Sequence, residues 1–157
     1  MIKVGDKVPA ANITVINKEG QNSVSADEYF AGKKVVLIAV PGAFTPTCSE
    51  THLPGYVVNY DAIIAKGVDE VACLSVNDAF VMKSWQAAQN AEHITMVADG
   101  GGAFTKALGV DLDTADFGGV RSTRYSMIIE DGTVTTLNLE EGTGFEVSGA
   151  ETVLEQL

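Results

Sequence analysis

The chain of 157 residues holds two cysteines, Cys48 and Cys73, and one of them lies where a thiol can do chemistry. Cys48 falls in Pro41-Gly42-Ala43-Phe44-Thr45-Pro46-Thr47-Cys48-Ser49-Glu50, directly after a short apolar run. Two helix-start signals overlap in this segment. Thr45 can cap a helix with Pro46 at its first position, where the missing N–H costs nothing. Alternatively Thr47 caps, and Glu50 three residues on completes a capping box. Under either reading Cys48 occupies the first turn, where free backbone N–H groups and the positive end of the helix dipole favour an anion. A thiol there ionises more readily than a free cysteine, and the thiolate is the nucleophile.

Other chemistries lack parts. A cysteine hydrolase needs a histidine base, and His52 lies one helical turn after Cys48 but with no third group to orient it. His52 therefore reads as a surface or interface histidine. Cys48 and His52 as metal ligands have nothing nearby to complete a set, so no metal is expected. The absence of Cys-x-x-Cys excludes a thioredoxin-type dithiol. Asp111, Asp113 and Asp116 are out of register for a calcium loop and read as a solvated acidic loop. Gly100-Gly101-Gly102 lacks the Gly-Lys-Ser/Thr of a phosphate loop.

The elements that must position Cys48 follow from hydrophobic patterning. Val35 to Val40 is a β-branched, continuously apolar run bounded by Lys33-Lys34 and Pro41-Gly42, as in a strand buried on both faces. Val71 to Val76 is a second such run, ended by Asn77-Asp78, and Cys73 inside it reads most simply as core. The helical stretch between them ends at Lys66-Gly67, giving a right-handed βαβ unit. Phe80, Val81, Met82, Trp85, Ala88 and Ala91 form an apolar helical face, with Trp85 assigned to the core. Ile94 to Ala98 is a third buried strand, and Ala103 to Leu108 a short helix.

Tyr125 to Ile129 and Val134 to Leu137 flank Asp131-Gly132, a strong hairpin signal. Ser148-Gly149-Ala150-Glu151 has capping-box spacing for a last helix, and Ser25-Ala26-Asp27-Glu28 for a short early one. The expected class is α/β: a thioredoxin-like layout with a central mixed sheet flanked by helices, plus N-terminal and mid-chain additions. No linker divides the chain, so residues 1–157 read as a single domain.

Composition narrows the function classes. Ten basic residues against 21 acidic give a net charge of −11, and the longest basic run is Lys33-Lys34, so nucleic acid is not an expected partner. No apolar stretch reaches the roughly 18 residues of a membrane span, and Met1 to Asp6 contain no signal-peptide h-region. A soluble, cytoplasmic protein is the expectation.

The run Pro41-x-x-x-Thr45-x-x-Cys48 resembles the active-site motif of the peroxiredoxins. Extended by Thr51-His52-Leu53-Pro54-Gly55-Tyr56, it is similar to the atypical Prx5/type II branch. Ser75-Val76-Asn77-Asp78-Ala79-Phe80-Val81, Arg124-Tyr125-Ser126-Met127, Asp131-Gly132 and Gly142-Thr143-Gly144 carry the resemblance through most of the chain. It implies a thiol-dependent peroxidase serving antioxidant defence and redox homeostasis. The thiolate attacks the terminal oxygen of hydrogen peroxide or an alkyl hydroperoxide and becomes a sulfenic acid, with no metal, haem, flavin or other cofactor.

Carried over residue by residue, the resemblance makes Cys48 the nucleophile. It implies that the Thr45 hydroxyl holds thiolate and substrate oxygen, and that Pro41 shields the sulfur. Arg124 favours the thiolate and polarises the peroxide, while Arg121 reads as structural or at the edge of the site. The backbone N–H groups of Thr47 and Cys48 receive the developing charge. Plant-type members have a cysteine where Cys73 stands, which makes it a possible resolving residue once the Cys48 helix unwinds. No cysteine occurs in Gly144-Phe145-Glu146-Val147, where some members carry theirs. Otherwise glutathione, glutaredoxin or thioredoxin must reduce the sulfenate. A homodimer is expected through surfaces beside the site, with Phe44 and Phe80 as either core or interface. The competing readings are a peroxide-sensing relay using the same Cys48 and, more weakly, a degenerate thioredoxin-fold binding module.

Overall fold

The structure, a computed structural model, describes residues 1–142 and 144–157; Thr143 of the Gly142-Thr143-Gly144 run lies outside the described residues. Strands β1 (Asn12–Asn17), β2 (Gly20–Ser25), β3 (Lys34–Ala39), β4 (Glu70–Ser75), β5 (Thr95–Ala98), β8 (Tyr125–Glu130) and β9 (Thr133–Leu139) form one sheet. A second, two-stranded sheet pairs β6 (Asp111–Asp113) with β7 (Val120–Ser122). The order in the large sheet is β2-β1-β5-β4-β3-β8-β9. Pairing is parallel between β3 and β4 and between β4 and β5, and antiparallel elsewhere in that sheet. The mixed sheet and its helical flanks are those expected of the thioredoxin-like class.

The central strands are apolar throughout because both faces are covered. Val36 and Ile38 of β3 join Cys73, Met96, Tyr56, Ile63, Met82, Trp85 and Val153 in one core layer. Val35, Leu37 and Ala39 join Leu74, Val97, Phe30, Phe104 and Tyr125 in the other. The period-two alternation of side chains along a strand produces this split. Helices α2 (Leu53–Val58), α3 (Tyr60–Ala65), α4 (Ala79–Ala88) and α6 (Ala150–Gln156) supply the first layer. Helices α1 (Ala26–Tyr29) and α5 (Ala103–Leu108) serve the second.

Several local expectations change. The crossover between β3 and β4 is a broken series: one π-helical turn at Cys48–His52, then α2, then α3. The apolar face of α4 is narrower than its sequence suggests, since Met82 and Trp85 are buried while Phe80 and Ala88 are exposed. Neither terminal capping box forms. Ser25 stands at the N-cap of α1 but gives its hydroxyl to the Asp27 carboxylate, and Gly149 rather than Ser148 precedes α6. The β1–β2 hairpin went unread because β2 is largely exposed and polar, with no alternating apolar face.

Candidate active site

Where β3 ends, the backbone turns through Pro41 to Thr45 before the Cys48 helix begins. The Ser49 N–H donates to Thr45 O at 2.9 Å, so Thr45 stands at the N-cap with Pro46 in the first turn. Of the two start signals, this is the one the chain uses. Thr47 makes no side-chain cap, and its capping box with Glu50 does not form. The N–H groups of Thr47 and Cys48 precede the first helical bond and have no backbone acceptor among the described residues. That leaves donors at the place the sequence assigned to developing negative charge.

Three contacts hold the turn. The Thr45 hydroxyl donates to Gly42 O at 2.7 Å, and Asn77 Oδ1 accepts from the Ala43 N–H at 3.0 Å. The third is Arg121, whose Nε donates to Gly118 O at 3.0 Å and whose Nη1 donates to Pro41 O at 3.2 Å. A β-carbon at Gly42 would stand 2.5 Å from Arg121 Nη1, so glycine there makes room for this clamp. Phe44 adopts a φ of +64°, a left-handed conformation that costs a non-glycine residue energy and is held by the contacts on either side. Arg121 is thus at the edge of the site, as expected, while Asn77 is a support the sequence offered only as a turn residue.

Cys48 is 1% exposed and Arg124 is 3% exposed. The Arg124 guanidinium donates from Nη2 to Cys48 Sγ at 3.3 Å. Sheet register explains how residues 76 positions apart meet. Tyr125 pairs with Ala39, so Arg124 arrives beside the carboxyl end of β3, from which the Cys48 segment departs. A buried cation thus directs an N–H at the sulfur.

His52 overturns the surface reading, being fully buried. Its Nε2 faces Ser148 O at 3.1 Å, and its Nδ1 faces Arg124 Nη1 at 2.8 Å. A carbonyl only accepts, so the proton sits on Nε2 and the Nδ1 lone pair accepts from Arg124. Burial, and then the Arg124 charge, push the His52 pKa down to about 3. The ring is therefore neutral and suited to orienting a cation. The Phe145 ring lies 5.1 Å from His52 and 5.9 Å from the Arg124 guanidinium, covering both. Sequence spacing hid this because the partner that gives His52 its task is 72 residues away.

A cavity of about 510 Å³ opens over this centre, lined by Pro41, Thr45, Thr47, Leu112, Phe117 and Arg124 among others. The structure thus gathers Pro41, Thr45, Thr47, Cys48 and Arg124 in one place. Because the Thr45 hydroxyl proton is committed to Gly42 O, what that oxygen offers a ligand is a lone pair that can accept an O–H. Cys73 lies fully buried in β4, a free thiol in the same core layer as Cys48, and burial pushes its thiol pKa up. In its present place it is not a nucleophile.

Comparison with known proteins is consistent across sequence and structure. The Redoxin family model matches residues 3–154. Peroxiredoxin-2D of Arabidopsis thaliana is 46% identical over 99% of this chain and 98% of its own length. Peroxiredoxin-2E-2, chloroplastic, of Oryza sativa subsp. japonica is 47% identical over 99% of this chain and 72% of its own. Among solved structures, reduced Prx3 of Vibrio vulnificus in complex with hydrogen peroxide superposes with a TM-score of 0.96 at 61% identity, covering 99% of both chains.

Proposed function

The chain belongs to the peroxiredoxins, in the Prx5/type II branch, and is a thiol-dependent peroxidase of antioxidant function; on that premise we propose that Cys48 is its peroxidatic residue. The observation that carries this reading is the buried guanidinium donor on Cys48 Sγ at 3.3 Å. The thiolate attacks the terminal oxygen of the hydroperoxide. An S–O bond forms, the O–O bond breaks, and the departing oxygen leaves as water or alcohol once protonated. Sulfur is oxidised by two electrons to the sulfenic acid. Arg124 and the N–H groups of Thr47 and Cys48 stabilise the charge that moves onto oxygen, while Thr45 orients the substrate O–H and Pro41 shields the sulfur.

Hydrogen peroxide is the first proposed substrate, a choice supported by the peroxide-bound Vibrio relative. The apolar Leu112 and Phe117 of the cavity wall support small organic hydroperoxides beside it. Glutathione, glutaredoxin or thioredoxin is the proposed reductant: one thiol condenses with the sulfenic acid to release water, and a second exchanges to restore Cys48. Cys73, a free buried thiol in the same core layer, is the proposed alternative resolving residue, reached by local unwinding of the Cys48 turn. A cytoplasmic location suits two unpaired thiols. A homodimer is proposed through the exposed Phe44 and Phe80, large apolar side chains of the kind that mark a contact surface.

Intact-mass analysis after one equivalent of hydrogen peroxide, with and without a sulfenic-acid trap, tests the core of this reading. A trapped adduct on Cys48 with Cys73 free is the expected result and makes an external thiol necessary. Loss of two hydrogens mapped to a Cys48–Cys73 disulfide keeps Cys48 but assigns the resolving step to Cys73. No rapid change at Cys48 would falsify the assignment of the nucleophile.

A further inference from the structure

Glu140 follows β9, is 5% exposed, and touches neither Cys48 nor the cavity. Four donors nevertheless converge on its carboxylate. They are the N–H groups of Glu146, Val147 and Ser148, each at 2.9 Å, and the Ser148 hydroxyl at 2.7 Å. This is where the Ser148 hydroxyl goes instead of capping α6. The turn so fixed presents Ser148 O, which accepts from Tyr56 OH at 2.7 Å and from His52 Nε2. His52 in turn accepts from Arg124 Nη1, leaving Nη2 for Cys48 Sγ. The backbone N–H of Glu140 also donates to Arg124 O at 3.0 Å. The network therefore starts and ends on Arg124, whose main chain and side chain are both referred to Glu140.

We propose that Glu140 is a positioning residue for the peroxidatic thiolate, its carboxylate locking the 146–148 turn that aims His52 and, through His52, the Arg124 fork. The inference rests on Cys48 being the reacting thiol. The chemistry of the donors explains why a carboxylate is required. An ionised carboxylate only accepts, and all four donors gather on its Oε2, with the Glu146 N–H shared with Oε1, so the full negative charge is what holds so many donors at one place. An amide oxygen in the place of Oε2 is uncharged and holds the same donors more weakly, and the NH₂ that would stand in the place of Oε1 opposes the Glu146 N–H. Once the turn is loosened, Ser148 O leaves His52, the ring is free to rotate, and Arg124 loses the acceptor that fixes its plane. The sulfur keeps a nearby cation but not a directed one.

The test is Glu140→Gln, with Glu140→Asp as the variant that retains the charge. Three quantities are read: the second-order rate of Cys48 oxidation by hydrogen peroxide, the pH profile of Cys48 alkylation mapped by mass spectrometry, and folding by Trp85 fluorescence. Folded Glu140→Gln is expected to react about 10- to 100-fold more slowly, the scale of a misplaced catalytic group, with its alkylation profile displaced to higher pH. Glu140→Asp is expected to recover part of both. A folded Glu140→Gln protein with wild-type rate and profile overturns the proposal. Should Glu140→Gln not fold, Glu140→Asp decides: slowed oxidation with a displaced profile supports the role, and unchanged values overturn it. Failure of the premise is visible separately, as peroxide consumption that survives Cys48→Ser.

Discussion

At the scale of single residues, the site works through one planar cation doing two things at once. Arg124 donates from Nη1 to His52 and from Nη2 to Cys48 Sγ, a fork that lysine cannot reproduce. Arg124→Lys keeps the positive charge but gives up the direction, and it is expected to slow Cys48 oxidation by about 100-fold, the cost of removing a preorganised donor. Stopped-flow kinetics with hydrogen peroxide measure this, and a loss of less than about threefold would mean that charge alone suffices. Cys48 was legible from residue type and position, and Pro41, Thr45 and Arg124 from the contiguous motifs that carry the resemblance. His52 and Glu140 were not. Their tasks exist only after β8 and β9 bring Arg124 and Ser148 beside a helix more than 70 residues away in sequence. His52 was misread for a local reason too. An α-helix sets i and i+4 side by side on the surface, but here the Leu53 N–H bonds to Cys48 O, an i→i+5 closure that widens the turn, and both side chains are buried.

Two elements decide whether those residues meet. The β8–β9 hairpin carries Arg124 at one end and its turn at the other, so the turn sets the register that delivers Arg124. Asp131 (φ +47°) and Gly132 (φ +77°) take the left-handed conformations of a two-residue hairpin turn, and Asp131 is tied to the start of β3 by its N–H on Lys33 O at 3.0 Å. This turn was legible because Asp-Gly has few other uses between apolar runs, whereas Ser148 misled because its hydroxyl found a buried carboxylate in place of a helix end. Gly132→Ala forces a β-carbon onto a positive φ and is expected to cost about 1 kcal/mol, lowering Tm by roughly 2–4 °C. Because the strain sits at the far end of the strand, the peroxide rate should stay at the wild-type value; a slowed rate would show that register at Arg124 had slipped. The second element is the Cys48 turn. Ser49 Oγ accepts from Trp85 Nε1 at 3.0 Å, which fastens the turn to α4 and places the single tryptophan as its reporter. If a Cys48–Cys73 disulfide forms by the local unwinding that the resemblance implies, its formation is expected to shift Trp85 emission, while a sulfenic acid trapped without opening leaves emission nearly unchanged. A disulfide formed with no fluorescence change would contradict the coupling.

Over the whole molecule, the same groups that order the site make stability depend on acidity. His52 is held neutral in the folded state with a pKa of about 3, against about 6.5 when unfolded. Its contribution is complete above pH 6.5 and falls as pH drops, because the unfolded chain takes up a proton that the folded one refuses. The slope is about 1.4 kcal/mol per pH unit, or roughly 3 kcal/mol by pH 4. Glu140 adds to this lower down: burial alone would raise its pKa, but the Ser148 hydroxyl and three backbone N–H groups outweigh burial and hold it below the usual carboxylate range. At the opposite end of the parallel strands, Glu70 behaves likewise, burial being outweighed by Lys33 at 2.5 Å and by the Tyr29 and Thr95 hydroxyls. Both carboxylates contribute fully above the ordinary carboxylate range and lose their contribution as pH falls through their lowered values. An opposing effect comes from the net charge of −11, since protonating carboxylates relieves mutual repulsion and so favours the folded state as they titrate. The observed profile is therefore a difference, and His52→Gln isolates one side of it. Urea unfolding from pH 7 to pH 4 should show the wild type losing stability relative to His52→Gln by about 1.4 kcal/mol per pH unit below 6.5, even if the variant starts out less stable. Parallel profiles for the two proteins would mean that His52 takes up its proton within the fold, and the neutral ring that orients Arg124 would have to be abandoned.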